Sequence, residues 1–205
     1  MASHTAIADI GDTLVTLLRD RMGDPIDDED IVLASPGDEG VGQDLRLTVY
    51  LYDVRQNEHL SNDRSRPERA GRPAGASLVL DLHYLLTALP KESQSNAKQT
   101  TQTRDQHEVL GRAMQVLAEN QIVRNPDLGE QLDSEDVVQI TFESTERREL
   151  LDVWGTFDET PYHPSVPFAV SPVVIESERD AESTRVLASD FEQYTVRGFE
   201  EGGGT

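Results

Sequence analysis

The sequence predicts an α+β domain with a mixed, mainly antiparallel β-sheet and helices packed on one face. Three observations predict it. In LRLTVYLYDV, 45–54, Leu45, Leu47, Val49 and Leu51 alternate with Arg46, Thr48, Tyr50 and Tyr52, the period of a half-buried strand. LVLDLHYLLTAL, 78–89, is apolar on both faces apart from Asp81 and His83, as suits a central strand. Two further segments carry apolar residues at helical spacing.

In chain order, residues 3–22 read as a helix. Ile7, Ile10, Leu14, Leu17 and Leu18 form its stripe, Ser3 or Thr5 caps it, and Gly23, Asp24 and Pro25 stop it. The run IVLA at 31–34 is a short strand, and SPGDEGVGQD, 35–44, is a loop. The strand 45–54 follows, then a loop from 55 to 77, then the strand from Leu78, for which helix is the alternative reading. Residues 91–103 are a polar loop or a frayed helix start. The helix proper is 104–119, with Val109, Leu110, Ala113, Met114, Val116 and Leu117 on one stripe. Asn125, Pro126 and Asp127 make a turn. VVQITFES, 137–144, is a third main strand, and Ser144 caps a short helix through Trp154. SVPFAVSPVVIES, 165–177, is extended, and Pro167 and Pro172 place it at a sheet edge or a bulge. The expected structural core includes Leu47, Val49, Leu51, Leu82, Tyr84 and Trp154. Residues 1–177 form the domain, and 178–205 form an acidic C-terminal arm.

The chain has 205 residues, enough for one domain with its own core. It has no cysteine, which excludes disulfides, thiolate catalysis and cysteine metal sites. Asp and Glu number 39 against 18 Lys and Arg, a formal net charge of −21. Lys91 and Lys98 are the only lysines. Such self-repulsion destabilises a compact state in dilute buffer, and at about 1 M salt a Debye length of about 3 Å quenches it. The acidic excess with scarce lysine fits a protein of a salt-loving cytosol. It also argues against duplex DNA, whose phosphates the chain would repel. No basic n-region with an apolar h-region opens the sequence, and no apolar run approaches the roughly 20 residues of a membrane span. Cytoplasmic synthesis, with no signal peptide and no membrane, is the expectation.

Little points to covalent chemistry. No GxxxxGK[ST], GxGxxG or GxSxG occurs. Asp81 and His83 share one face of a strand, a spacing that fits the start of a metal or acid–base site. A buried pair whose members satisfy each other is the commoner arrangement. The expectation is no catalytic residue, no metal and no cofactor.

Five pieces in order carry a resemblance. They are VYLYDVRQNEHLSN, LVLDLHYLLTAL, HEVLGRAMQVL, LLDVW and YHPSVPFAVSPVVIES. Together, over roughly residues 5–177, they resemble the tube-terminating cap family of contractile, phage-tail-like injection particles. Phe168 stands where that family's terminal edge strand usually has Tyr. The resemblance implies a phage tail-terminator-like α+β subunit without catalysis. It implies a homo-oligomeric ring, expected to be hexameric, on the end of an inner tube that it ties to the contractile sheath. Its partners would be the inner tube protein and the sheath protein. Assembly would take place in the cytoplasm, and the cap would then be part of a released or cell-bound particle.

One loop stands out against the acidic chain. Residues 55–72 hold Arg55, Arg64, Arg66, Arg69 and Arg72 against Glu58, Asp63 and Glu68. On a ring subunit this loop is placed to touch an acidic tube, with guanidinium forks pairing carboxylates at short range. Asn57 and Asn62 would hold its shape by side-chain to backbone bonds. The plainer reading is a solvated insertion whose arginines pair with local acids. The arm, with Phe191, Tyr194, Val196 and Phe199 in TRVLASDFEQYTVRGF, would add a strand to a sheath subunit. Its plainer reading is a disordered acidic tail. Rival readings of the whole are a baseplate or adaptor component of the same particle, a halophilic protein-binding module, and a hydrolase or metal enzyme using Asp81 and His83.

Overall fold

The computed structural model describes residues 4–23, 26–38, 45–61, 78–90, 99–124, 137–157 and 160–175. Helix α1 (Ala6–Met22) turns its apolar stripe inward and ends at Gly23, whose φ of 58° is a conformation glycine adopts without a side-chain clash. Thr5 occupies the N-cap position, but its hydroxyl donates to the Asp9 carboxylate and not to the backbone. A 3-10 turn (Asp28–Asp30) leads into β1 (Ile31–Leu33). Then come β2 (Leu47–Gln56), the one-turn α2 (Glu58–Ser61), β3 (Leu78–Ala88) and α3 (Gln99–Glu119). The chain continues with β4 (Ile122–Arg124), β5 (Val137–Phe142), α4 (Arg147–Trp154) and β6 (Ser165–Ile175).

The described strands form one six-stranded sheet in the order β1-β2-β3-β6-β5-β4. β1 runs parallel to β2, and every other pairing is antiparallel. The sheet is therefore mixed and mainly antiparallel, as the sequence predicts. The stretch from Leu78 is a strand and not a helix, paired on both sides.

Helices α1 and α3 touch each other and the same sheet face. Leu47, Val49, Leu82 and Tyr84 lie in the core beneath them, and Leu51 packs against it half-buried. Tyr84 stacks on Phe168, and Phe168 meets Phe142 edge-on. Trp154 is buried too, but in a separate aromatic cluster with Phe157, Tyr162 and His163. Phe157 in turn meets Tyr50 of β2 edge-on, which ties this cluster to the sheet.

Several expectations change. β6 is not an edge strand: it sits between β3 and β5. Its prolines are tolerated because they flank residues 168–171, the stretch of β6 paired to β5. The bulge is real. Between the pairs Leu80–Val173 and Leu82–Val170, β6 carries one residue more than β3. Arg46 and Thr48 do not face solvent, being 2% and 0% exposed. Arg46 is paired with Asp105 of α3, so the alternation in this strand marks two buried environments. Helix α3 begins at Gln99, so the last five residues of 91–103 follow the helix-start reading and not the loop reading. Helix α4 begins after Glu146, so Ser144 does not cap it. β4 has no counterpart in the sequence reading.

Candidate functional site at the root of the basic loop

The residues singled out in the basic loop divide into two sets. Arg55 and Asn57 are described. Asn62, Arg64, Arg66, Arg69 and Arg72 lie outside the described residues, as do Phe191, Tyr194, Val196 and Phe199 of the arm. The part of the candidate site that can be built is thus the root, where β2 hands the chain to α2.

Asn57 is bonded on every side there. Its backbone N–H donates to the Val79 carbonyl of β3 at 2.9 Å. Its Oδ1 accepts the Leu60 N–H at 2.9 Å, which caps α2. Its Nδ2 donates to Asp81 Oδ1 at 2.9 Å and lies 3.4 Å from Ser171 Oγ of β6. Ser171 donates a short hydrogen bond to the same Asp81 oxygen. One side chain therefore links β2, α2, β3 and, through Asp81, the bulge of β6. Two residues back, Arg55 Nε donates to Asp53 Oδ2 at 2.7 Å. This bond holds the Asp53 carboxyl below its ordinary range and the guanidinium above its own. Arg55 is 67% exposed, so the pair is a solvent-screened surface contact.

Asp81 and His83 share a strand face but do not satisfy each other. Asp81 turns to Asn57 and Ser171. His83 Nδ1 lies 3.0 Å from both carboxylate oxygens of Glu143, just past β5. Tyr52 Oη also reaches Glu143, at 3.3 Å. Burial and then the neighbouring Glu143 charge push the Tyr52 phenol up to about 12. His83 Nε2 is buried with no hydrogen-bond partner among the described residues. No group of three described His, Asp or Glu residues is arranged to hold a metal ion.

The sequence reading missed Glu143 and Ser171. Both lie 60 or more residues from the groups they serve, on strands whose pairing decides the contact. The local signal that existed was the placement of Asp81 and His83 on one face of an otherwise apolar strand. That signal marks polar groups in need of partners but does not say where the partners are.

Fold and site together define a class: an α+β domain in which Asn57, the residue that follows β2, is braced by side chains from β3 and β6 at the start of the basic segment between β2 and β3. Within that class, the chain belongs to the Pvc16 N-terminal domain family, which it matches over residues 9–189. Its fold is similar to two solved structures. One is the PVC sheath/tube terminator of an extracellular contractile injection system in the extended state. That match has a TM-score of 0.59 and 18% identity, and covers 94% of this chain and 65% of that one. The other is the anti-feeding prophage cap, a tube-terminating cap, with a TM-score of 0.58 and 18% identity. It covers 91% of this chain and 61% of that one. This chain thus spans less than two thirds of the length of either structure. A search of curated proteins gives no sequence match. Among the described residues, no helix is long and apolar enough to cross a membrane.

Proposed function

We propose that this protein terminates the inner tube of a contractile injection particle and joins the tube end to the sheath, by shape and side-chain pairing without covalent chemistry. The observation that supports this is the fold, which over more than nine tenths of the chain is similar to that of two tube-terminating proteins. In this reading the subunits close into a cyclic homo-oligomer, a hexameric ring seated on the tube end. The basic loop meets acidic tube subunits, and the C-terminal arm reaches the sheath by strand addition. The cap assembles in the cytoplasm and stays with the particle.

The test is co-expression with the tube and sheath proteins of the same particle, with and without this chain. Tubes of defined length, carrying a ring at the end away from the baseplate, are expected only when the chain is present. Replacing Arg64, Arg66 and Arg69 with Ser should leave the fold intact and lengthen the tubes. Tubes equally long in all three preparations would overturn the proposal. A ring found at the baseplate end would instead make the protein an adaptor.

A further inference from the structure

We infer that Asn57 is a positioning residue that sets the direction in which the basic loop leaves the sheet. The inference rests on the proposed tube contact of that loop, and it concerns how the contact is aimed. Arginine pairing with carboxylates is directional and short-ranged, most of all in concentrated salt where distant charges are screened. A loop that relies on it gains nothing from its charge unless its base is fixed. β2 leaves the sheet at Gln56, and the loop's only described helical turn begins at Glu58. Asn57 is the single residue between them.

Its side-chain contacts point in different directions. Oδ1 accepts the Leu60 amide and so orients α2 relative to β2. Nδ2 donates to Asp81 and so fixes both to β3. Asp81 is itself held by Ser171 at the β6 bulge, where the extra residue brings the hydroxyl into reach. Asparagine is the residue that does this. Aspartate offers the acceptor for Leu60 but sets a second carboxylate against Asp81, and serine has too short a reach to span both. The network also gives Asp81 a role that involves no metal and no proton transfer: it is the acceptor against which the loop root is clamped.

A carboxylate–amide exchange tests this. In Asn57→Asp the new carboxylate can accept the Leu60 amide only while it is held against Asp81, and that repulsion opens the cap. In Asp81→Asn the new amide oxygen still accepts from Asn57 and Ser171. In the double variant, the carboxylate introduced at position 57 accepts from the Leu60 amide and from the side-chain amide introduced at position 81. The contact is then restored with the charge count of the parent. The expected result is that Asn57→Asp speeds amide exchange at Leu60 by about ten-fold, the loss of roughly one charge-assisted hydrogen bond. Asp81→Asn should change it little, and the double variant should return it to the parent rate. Tube capping by the same four proteins should follow the same order, with the double variant rescued. A purely structural role for Asn57 would lower the melting temperature without this rescue of capping. If the Arg64, Arg66, Arg69 variant loses capping while Asn57→Asp keeps it, the inference fails and the proposed loop contact stands. If neither change affects capping, the loop contact itself is wrong and the inference falls with it. An Asn57→Asp protein with unchanged Leu60 exchange overturns the inference without reference to the tube.

Discussion

Tyr52 shows how a single residue reports on the buried polar side of the sheet. Its phenol is pushed up to about 12 by burial first and by Glu143 second. The folded state therefore favours the protonated phenol. Its contribution to stability is complete below the ordinary tyrosine value near 10 and is lost as pH rises from there towards 12. Ultraviolet titration should show Tyr52 and the more deeply buried Tyr84 both ionising late, and Tyr52→Phe should remove the earlier of the two steps. Glu143→Gln should lower that earlier step part of the way, because the charge is removed while the burial remains. A step that stays in place in Glu143→Gln would mean that the Glu143 contact is not present in solution. At the same scale, Arg46 is a residue whose environment the sequence misleads about: it looks like the solvent side of an alternating strand, yet it is buried against Asp105. Alternation identifies two faces and leaves open whether the second face meets water.

At the scale of elements, β6 carries the fold. It is bonded to β3 along most of its length and to β5 over residues 168–171. It also supplies Phe168, which is fully buried between Tyr84 and Phe142. Phe168→Ala should cost about 3–5 kcal/mol, the range for emptying a buried aromatic site. Denaturant unfolding should show this as a lower midpoint, and a midpoint within about 1 kcal/mol of the parent would place Phe168 outside the core. Phe168→Tyr, the residue usual in the cap family, should cost less, but its hydroxyl would need a partner in a fully buried site. The prolines of this strand suggested an edge or a bulge, and of the two the bulge is present. Proline does exclude hydrogen bonding at its own nitrogen, but it excludes nothing at the residues between two prolines, and those are the ones paired to β5.

At the scale of the whole molecule, charge dominates. A formal charge of −21 on 205 residues repels itself most strongly when the Debye length is long. That length is about 30 Å at 0.01 M salt and about 3 Å at 1 M. The melting temperature should therefore fall as salt is lowered below about 0.5 M, most steeply towards dilute buffer, where screening is lost. A melting temperature constant from molar salt to dilute buffer would contradict the expected adaptation to salt. The same charge makes the basic segment conspicuous: against so acidic a background, the five arginines within 55–72 form a local exception, and the proposed contact with an acidic tube rests on it.

The sequence by itself determined the class of fold, the two long strands that flank the basic loop, the two stripes that make α1 and α3, and the order of the pieces by which the cap family is recognised. These are local properties: periodicity, cap and breaker residues, and composition act over a few turns of helix or a few residues of strand. Tertiary structure alone decided that β6 lies inside the sheet, that Arg46 is buried against Asp105, and that Asp81 and His83 turn to Ser171 and Glu143 instead of to each other. Each of these depends on which distant strand or helix arrives at a given face. A polar side chain on a buried strand must find a partner, and pairing of segments 60 to 90 residues apart determines which one it finds.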